Sequence, residues 1–524
     1  MKKSILSVTM LVMTIYIMAV NNYVSEPFSL LKREKPVTSK LVKWDITPTL
    51  YSKYDNSFLN SAYRPSNFGS SSNDKYSFPL LSRDDFKESV VNYLTSPQKK
   101  RSLFFHSVGS KRAEGHVIGG FDYLNNGDDS YFIQYYGFEL KARYRRFSLN
   151  GKWWKGHTTT NDEYSSSSSL INSWVQDDSE GTIYLDKIQG DITYTNQNFG
   201  YLSLGRNKFE IGNNIGGSII LSPDKTNDYG YLKYKLNFGD LSVEFLHASL
   251  VSDSLDYYTK VDAPDKYMSL HQFIWEPSKS FKAFVGEQMY YGNRGVDINY
   301  FVPLGFWRIT EHNQGDRDNI LIFGGLEYKP TKSITIYANT IFDELSKSKL
   351  FTSWWGNKYA LQTGVSKSFV TPKTAKPRVI SLDKLGVEFT AIRPWIYTHK
   401  YLYAKASNDD QPLGFTDGTN LLKYTFEAEI SYFQKKIDHV LHISYMRQGS
   451  NYNDYTANYE YEIEDTEEFT SSWLDGDIND TFRLKNELNF NFLYSHQLKL
   501  ALELTKYNSD DLTKELIISY QTRF

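Results

Sequence analysis

Two stretches of the chain combine arginine, lysine, asparagine and tryptophan side chains in a pattern that could bind a sugar. Flat aromatic faces pack against the C–H surface of a sugar ring, and arginine donates paired hydrogen bonds to a carboxylate. The stretches are residues 205–214 and 291–319. The candidate ligand-binding residues are Arg206, Lys208, Asn213, Asn214, Arg294, Trp307, Arg308, Arg317 and Asn319. In the alternative interpretation the arginines are internal struts, each paired with a Glu or Asp of the protein.

The patterns that mark common catalytic sites are missing from the sequence. It contains no H-E-x-x-H, no G-x-S-x-G and no glycine-rich phosphate loop. His439 and His442 are three residues apart on a predicted strand, so they face opposite sides and cannot share a metal ion. We therefore predict no catalytic residue, no metal site, no cofactor and no enzymatic activity. The alternative is a hydrolase assembled from distant strands, although His247 and His271 have no adjacent Ser–Asp constellation.

One acidic stretch could serve a different chemistry. Residues 451–480 contain ten acidic residues and no Lys or Arg, interleaved with aromatic residues. Hard oxygen ligands of this kind suit Ca²⁺, although no EF-hand spacing is present. Such a run is more typical of a solvated loop, which is the interpretation we favour.

The composition restricts the class of protein that could position these residues. The 524 residues are 40% hydrophobic with a mean hydropathy of −0.51, which excludes a helical membrane protein. Aromatic residues make up 16% of the chain, which favours strands. The net charge of −2 gives no indication of a nucleic-acid partner. Cysteine is absent, which excludes disulfides, thiolate metal sites, a cysteine nucleophile and a lipoprotein anchor.

Alternating apolar and polar residues predict β-strands along most of the chain. At the C-terminus Leu516, Ile518, Tyr520 and Phe524 share one side of an extended strand. Similar runs reach about 9–14 residues, which suits a tilted transmembrane strand better than a soluble β-sandwich. A last strand that ends in an aromatic residue resembles the signal by which outer-membrane barrels are recognised for assembly. The fold class predicted is therefore an all-β, transmembrane antiparallel β-barrel.

Fixing Phe524 at the periplasmic edge sorts the connections into short periplasmic turns and long external loops. The predicted periplasmic connections are residues 144–146, 196–199, 239–240, 277–280, 329–333, 367–380, 435–438 and 494–497. The predicted external loops are residues 125–129, 155–182, 208–227, 252–265, 291–319, 343–356, 406–420 and 449–480. The scheme requires one long strand from about Ser381 to Lys400 despite Pro394. It gives about 18 strands, and an even number is expected of a single-chain bacterial barrel.

The residues before the barrel divide into two segments. Met1-Lys2-Lys3 and the apolar run that follows predict a signal peptide over residues 1–22, with a single anchoring helix as the alternative. Residues 23–115 are predicted to be a small, partly helical periplasmic or plug segment, with a short helix over about 82–94. This segment could cover the lumen, or it could be a partly disordered leader. The barrel is predicted to occupy residues 116–524.

Three motifs resemble a known family of outer-membrane barrels. They are LSLGRN at residues 202–207 before a glycine-rich run, YFVPLGF at residues 300–306, and RPWIYTH at 393–399 followed by QPLG at 411–414. Their order and spacing are similar to those of capsule assembly proteins of the Wzi type, including related barrels of gliding bacteria. Asn207 stands where the family usually has Asp, and Thr416-Asp417-Gly418 replaces its His-Pro-Leu segment. The resemblance implies an 18-stranded barrel with an N-terminal helical plug and a lectin-like, non-catalytic role.

The function expected from this resemblance is to bind and anchor capsular or exopolysaccharide at the surface of a Gram-negative bacterium. The expected partners are surface polysaccharide, outer-membrane lipid and lipopolysaccharide, and the barrel-assembly machinery through the strand ending in Phe524. No nucleic-acid partner is expected. The alternatives are a substrate-selective outer-membrane channel and a barrel associated with gliding motility or adhesion.

Overall fold

A computed structural model describes most of the chain from residue 104 to residue 523. Gaps in this description fall at residues 109–110, 128–129, 160–174, 178–181, 197–198, 254–262, 345–347, 350–351, 370–378, 434, 454–469, 493–495 and 509–511. The predicted signal peptide and the predicted helix at 82–94 lie outside the described residues, as does most of the acidic stretch. Within the described residues, no helix is long and apolar enough to cross a membrane.

Eighteen long strands, here numbered β1 to β18, account for most of the fold. They are β1 Lys111–Asn125, β2 Ser130–Tyr144, β3 Phe147–Thr159, β4 Thr182–Asn196, β5 Gly200–Asn207, β6 Tyr229–Phe238, β7 Leu241–Leu250, β8 Lys266–Ser278, β9 Phe281–Gly292, β10 Asn319–Thr331, β11 Ile334–Glu344, β12 Lys358–Ser368, β13 Ile380–Ile392, β14 Leu421–Tyr432, β15 Ile437–Gly449, β16 Ile478–Phe492, β17 His496–Tyr507 and β18 Thr513–Arg523. The other elements are short: strands Phe104–Val108, Val175–Asp177, Ser407–Asn408 and Gln411–Pro412, 3-10 helices Ile298–Phe301 and Leu402–Ala404, and helix α1 Trp307–Asn313.

These strands form one closed antiparallel barrel. Each long strand pairs with the next one along the chain, and β18 returns to pair with β1, with Arg523 opposite Ile118. Closure leaves no long strand with an unpaired edge, which is the condition for a sheet to cross a membrane. Strand Phe104–Val108 pairs with the first part of β1, beyond the end of β18. The predicted fold class and the predicted count of 18 strands are confirmed.

The two faces of the wall differ in polarity, as the period-two alternation predicts. In β5, Leu202 and Leu204 point outward and are 48% and 61% exposed. Between them, Ser203 points inward and contacts the hydroxyl groups of Thr193 and Tyr231. The outer face therefore carries apolar side chains, and the inner face carries a hydrogen-bonded polar network.

Short and long connections separate to opposite ends of the barrel. At one end, connections such as Gly239-Asp240 between β6 and β7 are tight turns, with Gly239 at a φ of +68°. At the other end the loops are long, the longest described ones following β5, β9 and β13. We call these the turn end and the loop end. This separation agrees with the predicted connections, apart from the predicted strand from Ser381 to Lys400.

The predicted strand from Ser381 to Lys400 is wrong, because β13 ends at Ile392. Pro394 has no N–H group to donate to a neighbouring strand. Beyond it, Trp395 and Tyr397 have φ values of +66° and +71°, which are incompatible with an extended strand. The chain therefore leaves the wall at Arg393 and re-enters it at Leu421, where β14 begins.

Substitution of one inward-facing glycine should weaken the barrel. A Cβ atom at Gly364 of β12 would collide with the ring of Tyr337 on β11. We expect Gly364→Val to lower the free energy of unfolding by about 1–3 kcal/mol, because overpacking forces neighbouring side chains out of place. The measurement is the temperature at which the folded, fast-migrating form is lost in SDS gel electrophoresis. Gly151→Val is the matched control, since no atom lies within 4 Å of its added Cβ. Equal transition temperatures for the two variants would contradict this prediction.

Candidate functional site

The long loop between β5 and β6 folds into the barrel. In this loop, residues 208–228, the side chains of Ile219, Ile220 and Leu221 are fully buried. They pack in one apolar cluster with inward-facing wall residues, among them Leu270 of β8 and Phe323 of β10. An external loop would expose these residues to water, so their burial accounts for its inward course.

Polar side chains of the wall satisfy the backbone of this loop. Glu388 of β13 accepts hydrogen bonds from the backbone N–H groups of Ile215 and Gly216 at 2.8 and 2.9 Å. It also accepts one from the hydroxyl of Tyr337 at 2.7 Å. The amide nitrogens of three other wall residues donate to loop carbonyls: Gln362 to Gly217, Asn339 to Asn213 and Gln288 to Ile220. Buried backbone groups need such partners, and here β9, β11, β12 and β13 supply them.

A second loop, residues 393–420, joins the first inside the barrel. Leu413 and Phe415 are fully buried in the same apolar cluster. The hydroxyl of Tyr397 donates to the carbonyl of Ile219 at 2.6 Å, and the N–H of Ser222 donates to the carbonyl of Leu413 at 2.8 Å. We call residues 208–228 and 393–420 together the plug. The plug described here comes from mid-chain loops, whereas the predicted plug segment at 23–115 lies almost entirely outside the described residues.

A group of charges fixes the plug to β14 and β16 of the wall. Asp417 of the plug lies 2.5 Å from the ammonium of Lys423 on β14 and 3.0 Å from the guanidinium of Arg483 on β16. Arg483 also contacts Glu503 of β17 at 3.0 Å. Burial raises the pKa of Asp417, but the two cations and their hydrogen bonds outweigh burial and hold this pKa well below its usual range.

Two tyrosines stand where the plug reaches the loop end. The rings of Tyr401 and Tyr403 are half-buried and stacked, with centroids 5.2 Å apart and planes 5° from parallel. Leu402 between them accepts a hydrogen bond from Lys266, the first residue of β8, so the pair lies at the loop end. The ammonium of Lys400 lies 5.5 Å from the ring of Tyr401. Residues 399–403 supply flat aromatic faces beside cations. This is the sugar-binding chemistry that the sequence predicts for residues 205–214 and 291–319.

One arginine side chain lies beside this tyrosine pair. A Cβ atom added to Gly292, at the end of β9, would lie 2.8 Å from the Cβ of Tyr403, and the guanidinium of Arg294 donates to the carbonyl of Gly292 at 3.2 Å. Burial, and after it the charges of Tyr401 and Asp318, raise the pKa of Tyr403, while the charges of Arg294 and Arg317 lower it. Arg317 is exposed to solvent. The structure therefore brings one predicted site residue, Arg294, close to two aromatic residues, Tyr401 and Tyr403, that are not among the predicted site residues. The sequence contains an indication of these aromatic residues in the alternation of His399, Tyr401 and Tyr403, although the predicted strand that ends at Lys400 includes the first of them.

A second aromatic cluster surrounds Arg393 at the same end. Arg393 is buried and donates hydrogen bonds to the backbone carbonyls of Asn357 and Ser471 at 3.1 and 2.9 Å. Its guanidinium lies 5.6 Å from the ring of Trp473, which is partly exposed. Nearby, the ring of Trp395 stacks on that of Tyr452 at 4.2 Å. These contacts tie the plug to the loops that follow β11 and β15.

The predicted ligand-binding residues of the first stretch lie on two faces of the wall. Arg206 points outward, on the side of Leu202 and Leu204, and is exposed. Lys208, Asn213 and Asn214 belong to the plug and donate within the protein, to the carbonyl of Thr226, to Glu327 and to Glu210 respectively. The structure therefore does not bring Arg206 together with the other three.

The second stretch lies largely outside the barrel. Residues 293–318, here called the outer-wall loop, include α1, whose Trp307 is fully buried against the outward face of β7 to β9. Arg294 makes two hydrogen bonds to Asp318 at 2.8 and 2.6 Å, and Arg308 makes one to Glu311 at 2.7 Å. These arginines are paired with carboxylates, as in the alternative interpretation, although the pairs lie outside the lumen. Asn319 is buried at the start of β10, and its side-chain nitrogen has no hydrogen-bond partner.

Removing the carboxylate of Glu388 should loosen the plug. Glu388→Ala leaves the N–H groups of Ile215 and Gly216 and the hydroxyl of Tyr337 without their acceptor. Because hydrogen bonds to a charged group contribute about 1.5–3 kcal/mol each, we expect the amides of the loop to exchange at least about 30-fold faster. The measurement is hydrogen exchange followed by mass spectrometry of peptides within residues 208–228. Glu429→Ala on β14 is the control, because its partner is Lys384 of the wall. Unchanged exchange in Glu388→Ala would refute the proposed role of this carboxylate.

The contribution of Asp417 should persist in mild acid. Its pKa is lower in the folded protein than in the unfolded chain, so its stabilising effect is present above the unfolded pKa of about 3.9 and is lost only as the pH falls through the lower, folded pKa. We therefore expect hydrogen exchange of residues 411–421, corrected for intrinsic rates, to be equally slow at pH 7 and pH 4.5. Asp417→Asn should accelerate this exchange at both pH values, since it leaves Lys423 and Arg483 without their shared partner. Asp316→Asn, in the outer-wall loop, is the control. Loss of protection in the unmodified protein at pH 4.5 would contradict this assignment.

No family model and no curated protein matches the chain. Among solved structures, it is similar to Wzi of Escherichia coli, which is described as an outer membrane protein involved in group 1 capsule assembly and as a carbohydrate-binding β-barrel. The two sequences are 13% identical over 77% of this chain and 83% of Wzi, and the TM-score is 0.51. OccAB3 of Acinetobacter baumannii is 10% identical over 80% of this chain and 100% of its own, with a TM-score of 0.44. OprD of Pseudomonas aeruginosa is 7% identical over 82% and 98%, with a TM-score of 0.41. The likeness to Wzi concerns the fold: this chain has the architecture of an outer-membrane β-barrel.

Proposed function

We propose that this protein binds and anchors capsular or exopolysaccharide at the surface of a Gram-negative bacterium, as a lectin-like barrel without catalytic activity. The observation that carries the proposal is the plug, whose apolar cluster occupies the part of the lumen bounded by β6 to β15. A lumen occupied in this way leaves the loop end as the surface on which a large external ligand can be bound. The barrel architecture shared with Wzi, a carbohydrate-binding protein, supports this proposal.

The chemistry of the loop end suits an acidic polysaccharide. The stacked rings of Tyr401 and Tyr403 offer flat faces for the C–H surface of sugar rings. Lys400 lies 5.5 Å from the ring of Tyr401, and Arg317 is exposed at the same end, two residues before β10; cations of this kind pair with uronate carboxylates. The other ligand-binding residues predicted from the sequence are Arg206, Lys208, Asn213, Asn214, Arg294, Trp307, Arg308 and Asn319. Of these, Arg294 lies beside the tyrosine pair, because it donates to the carbonyl of Gly292, against which Tyr403 packs.

The proposed location is the outer membrane, with the loop end facing outward. The outward apolar residues of the wall are suited to contact lipid and lipopolysaccharide, and β18, which precedes Phe524, would be read by the assembly machinery. We propose that residues 1–22 are removed as a signal peptide and that residues 23–115 remain on the periplasmic side.

The tyrosine pair should be required for retention of polysaccharide. In a deletion strain complemented with the gene, the unmodified protein should restore cell-bound polysaccharide, and Tyr401→Ala/Tyr403→Ala should restore it at most about one-fifth as well, since aromatic contacts of this kind contribute about 0.5–1.5 kcal/mol each. The measurement is the ratio of cell-bound to released polysaccharide. Tyr507→Ala, which changes an exposed tyrosine at the end of β17, is the matched control.

Two outcomes would contradict the proposal. Equal retention by the deletion strain and the parent would refute a role in anchoring. A stable conductance of the purified protein in planar lipid bilayers would favour the alternative, a substrate-selective channel, because the proposed anchoring role requires no passage through the barrel.

A further inference from the structure

Polar residues occupy the outward face of the wall beneath the outer-wall loop. His271 of β8 contacts Glu287 of β9 at 3.0 Å, and His247 of β7 contacts the hydroxyl of Ser269 at 3.0 Å. Strand alternation places these residues on the same face as Trp275 and Val285, which are exposed apolar residues. In a membrane this face meets lipid, where an uncovered His–Glu pair would be unfavourable. The four polar residues are nevertheless buried.

The inner side of the outer-wall loop covers this polar patch. The ring of Trp307 lies 4.0 Å from that of His271, and the backbone N–H of Trp307 donates to Glu287 at 2.9 Å. The ring of Phe301 lies 4.5 Å from that of His247. Tyr300 and Arg294 hold the loop in place through their hydrogen bonds to Asp318. The loop is therefore a fixed cover on the outside of the barrel.

The same loop exposes a group of apolar side chains over residues 296–309, and its exposed polar side chains, such as His312 and Asp316, lie mostly after that stretch. Its exposed hydrophobic side chains are 54–78% accessible, which is as exposed as Val285 of the wall or more so. They are Val296, Ile298, Val302, Leu304, Phe306 and Ile309. The surface that they form continues the apolar outer face of β8 to β10, on which Trp275, Val285 and Ile322 are exposed. Sugar hydroxyls would find few hydrogen-bond partners on these aliphatic and aromatic side chains.

The depth that the loop reaches also matches a membrane. Trp307 contacts Glu287, which lies five positions before the end of β9 at Gly292. At about 3.4 Å per residue this is about 17 Å along the strand, and a strand tilt of about 35–45° makes it about 12–14 Å of depth, close to the middle of an apolar band about 25 Å high. The loop thus descends from the loop end along the lipid-facing side of the wall.

We propose that acyl chains of the outer leaflet cover residues 296–309 of the outer-wall loop, which lie in the membrane and seal the polar patch of β7 to β9 from lipid. This inference rests on the outer-membrane location proposed above. The continuity of the loop with the apolar wall favours lipid as the occupant. A partner protein or a second copy of this chain would be the occupant if these residues were shielded from both lipid and water.

The absence of cysteine from the chain allows a direct test by spin labelling. Leu304→Cys and Phe306→Cys would be labelled singly and reconstituted in phosphatidylcholine vesicles that contain this protein alone. Collision rates of each label with oxygen and with a water-soluble nickel chelate measure exposure to lipid and to water. Leu204→Cys, on the outward face of β5, is the lipid reference, and Leu512→Cys, in the loop before β18, is the water reference.

We expect the labels at 304 and 306 to show oxygen-to-nickel ratios within about twofold of the label at 204 and at least about tenfold above the label at 512. Ratios equal to that of the label at 512 would place the loop in water and overturn the inference. Low collision rates with both reagents would indicate cover by protein and would also overturn it. A water-like label at 204 would instead refute the outer-membrane location, so the two proposals fail in different ways.

Discussion

Backbone N–H and C=O groups that are removed from water need partners within the protein, and this requirement governs both the wall and its interior. The wall meets it by closing β18 on β1, so that each of the 18 long strands has a neighbour on both sides. The interior meets it differently, because the plug has almost no regular secondary structure. There the side chains of Glu388, Gln362 and Asn339 act as the partners that a neighbouring strand would otherwise provide. The polar inner face required by the alternation of the strands is thus what allows irregular chain to be buried in the lumen.

The sequence was sufficient to predict the wall because its signals are local. Alternation such as that around Leu202 and Leu204 assigns a face to each residue without knowledge of the rest of the chain. The separation of turns from loops then follows from strand order and the position of Phe524 alone. The exception was β13, where apolar residues continue past Ile392 although Pro394 ends the strand. Here the pattern was ambiguous, since the buried residues after Ile392, such as Ile396 and Tyr397, belong to the plug and not to the wall.

The course of the long loops could not be predicted, because their partners are remote in sequence. Glu388 lies 173 residues after Ile215, and no spacing rule connects them. An indication was present in the apolar run Ile219-Ile220-Leu221, which is unusual for a solvated loop, but it does not say into which space the loop folds. The candidate site was affected for the same reason. Arg294 and Arg308 were suitable residue types for a ligand, yet carboxylates within the same loop, Asp318 and Glu311, already pair with them.

Strands β8 to β10 carry a loop on each side of the wall, the plug on the inner side and the outer-wall loop on the outer side. On the inner side, β8 to β10 support the plug through Leu270, Gln288 and Phe323. On the outer side the same strands carry the outer-wall loop, and Asp318, which fixes that loop, directly precedes Asn319 at the start of β10. Arg294 connects the two sides, because it binds Asp318 and also the carbonyl of Gly292, against which Tyr403 of the plug packs. A ligand bound at the tyrosine pair would therefore rest on a surface held from within by the plug and from outside by the outer-wall loop. Such a rigid surface suits the proposed retention of a long polymer, because the protein loses little conformational freedom when the polymer binds.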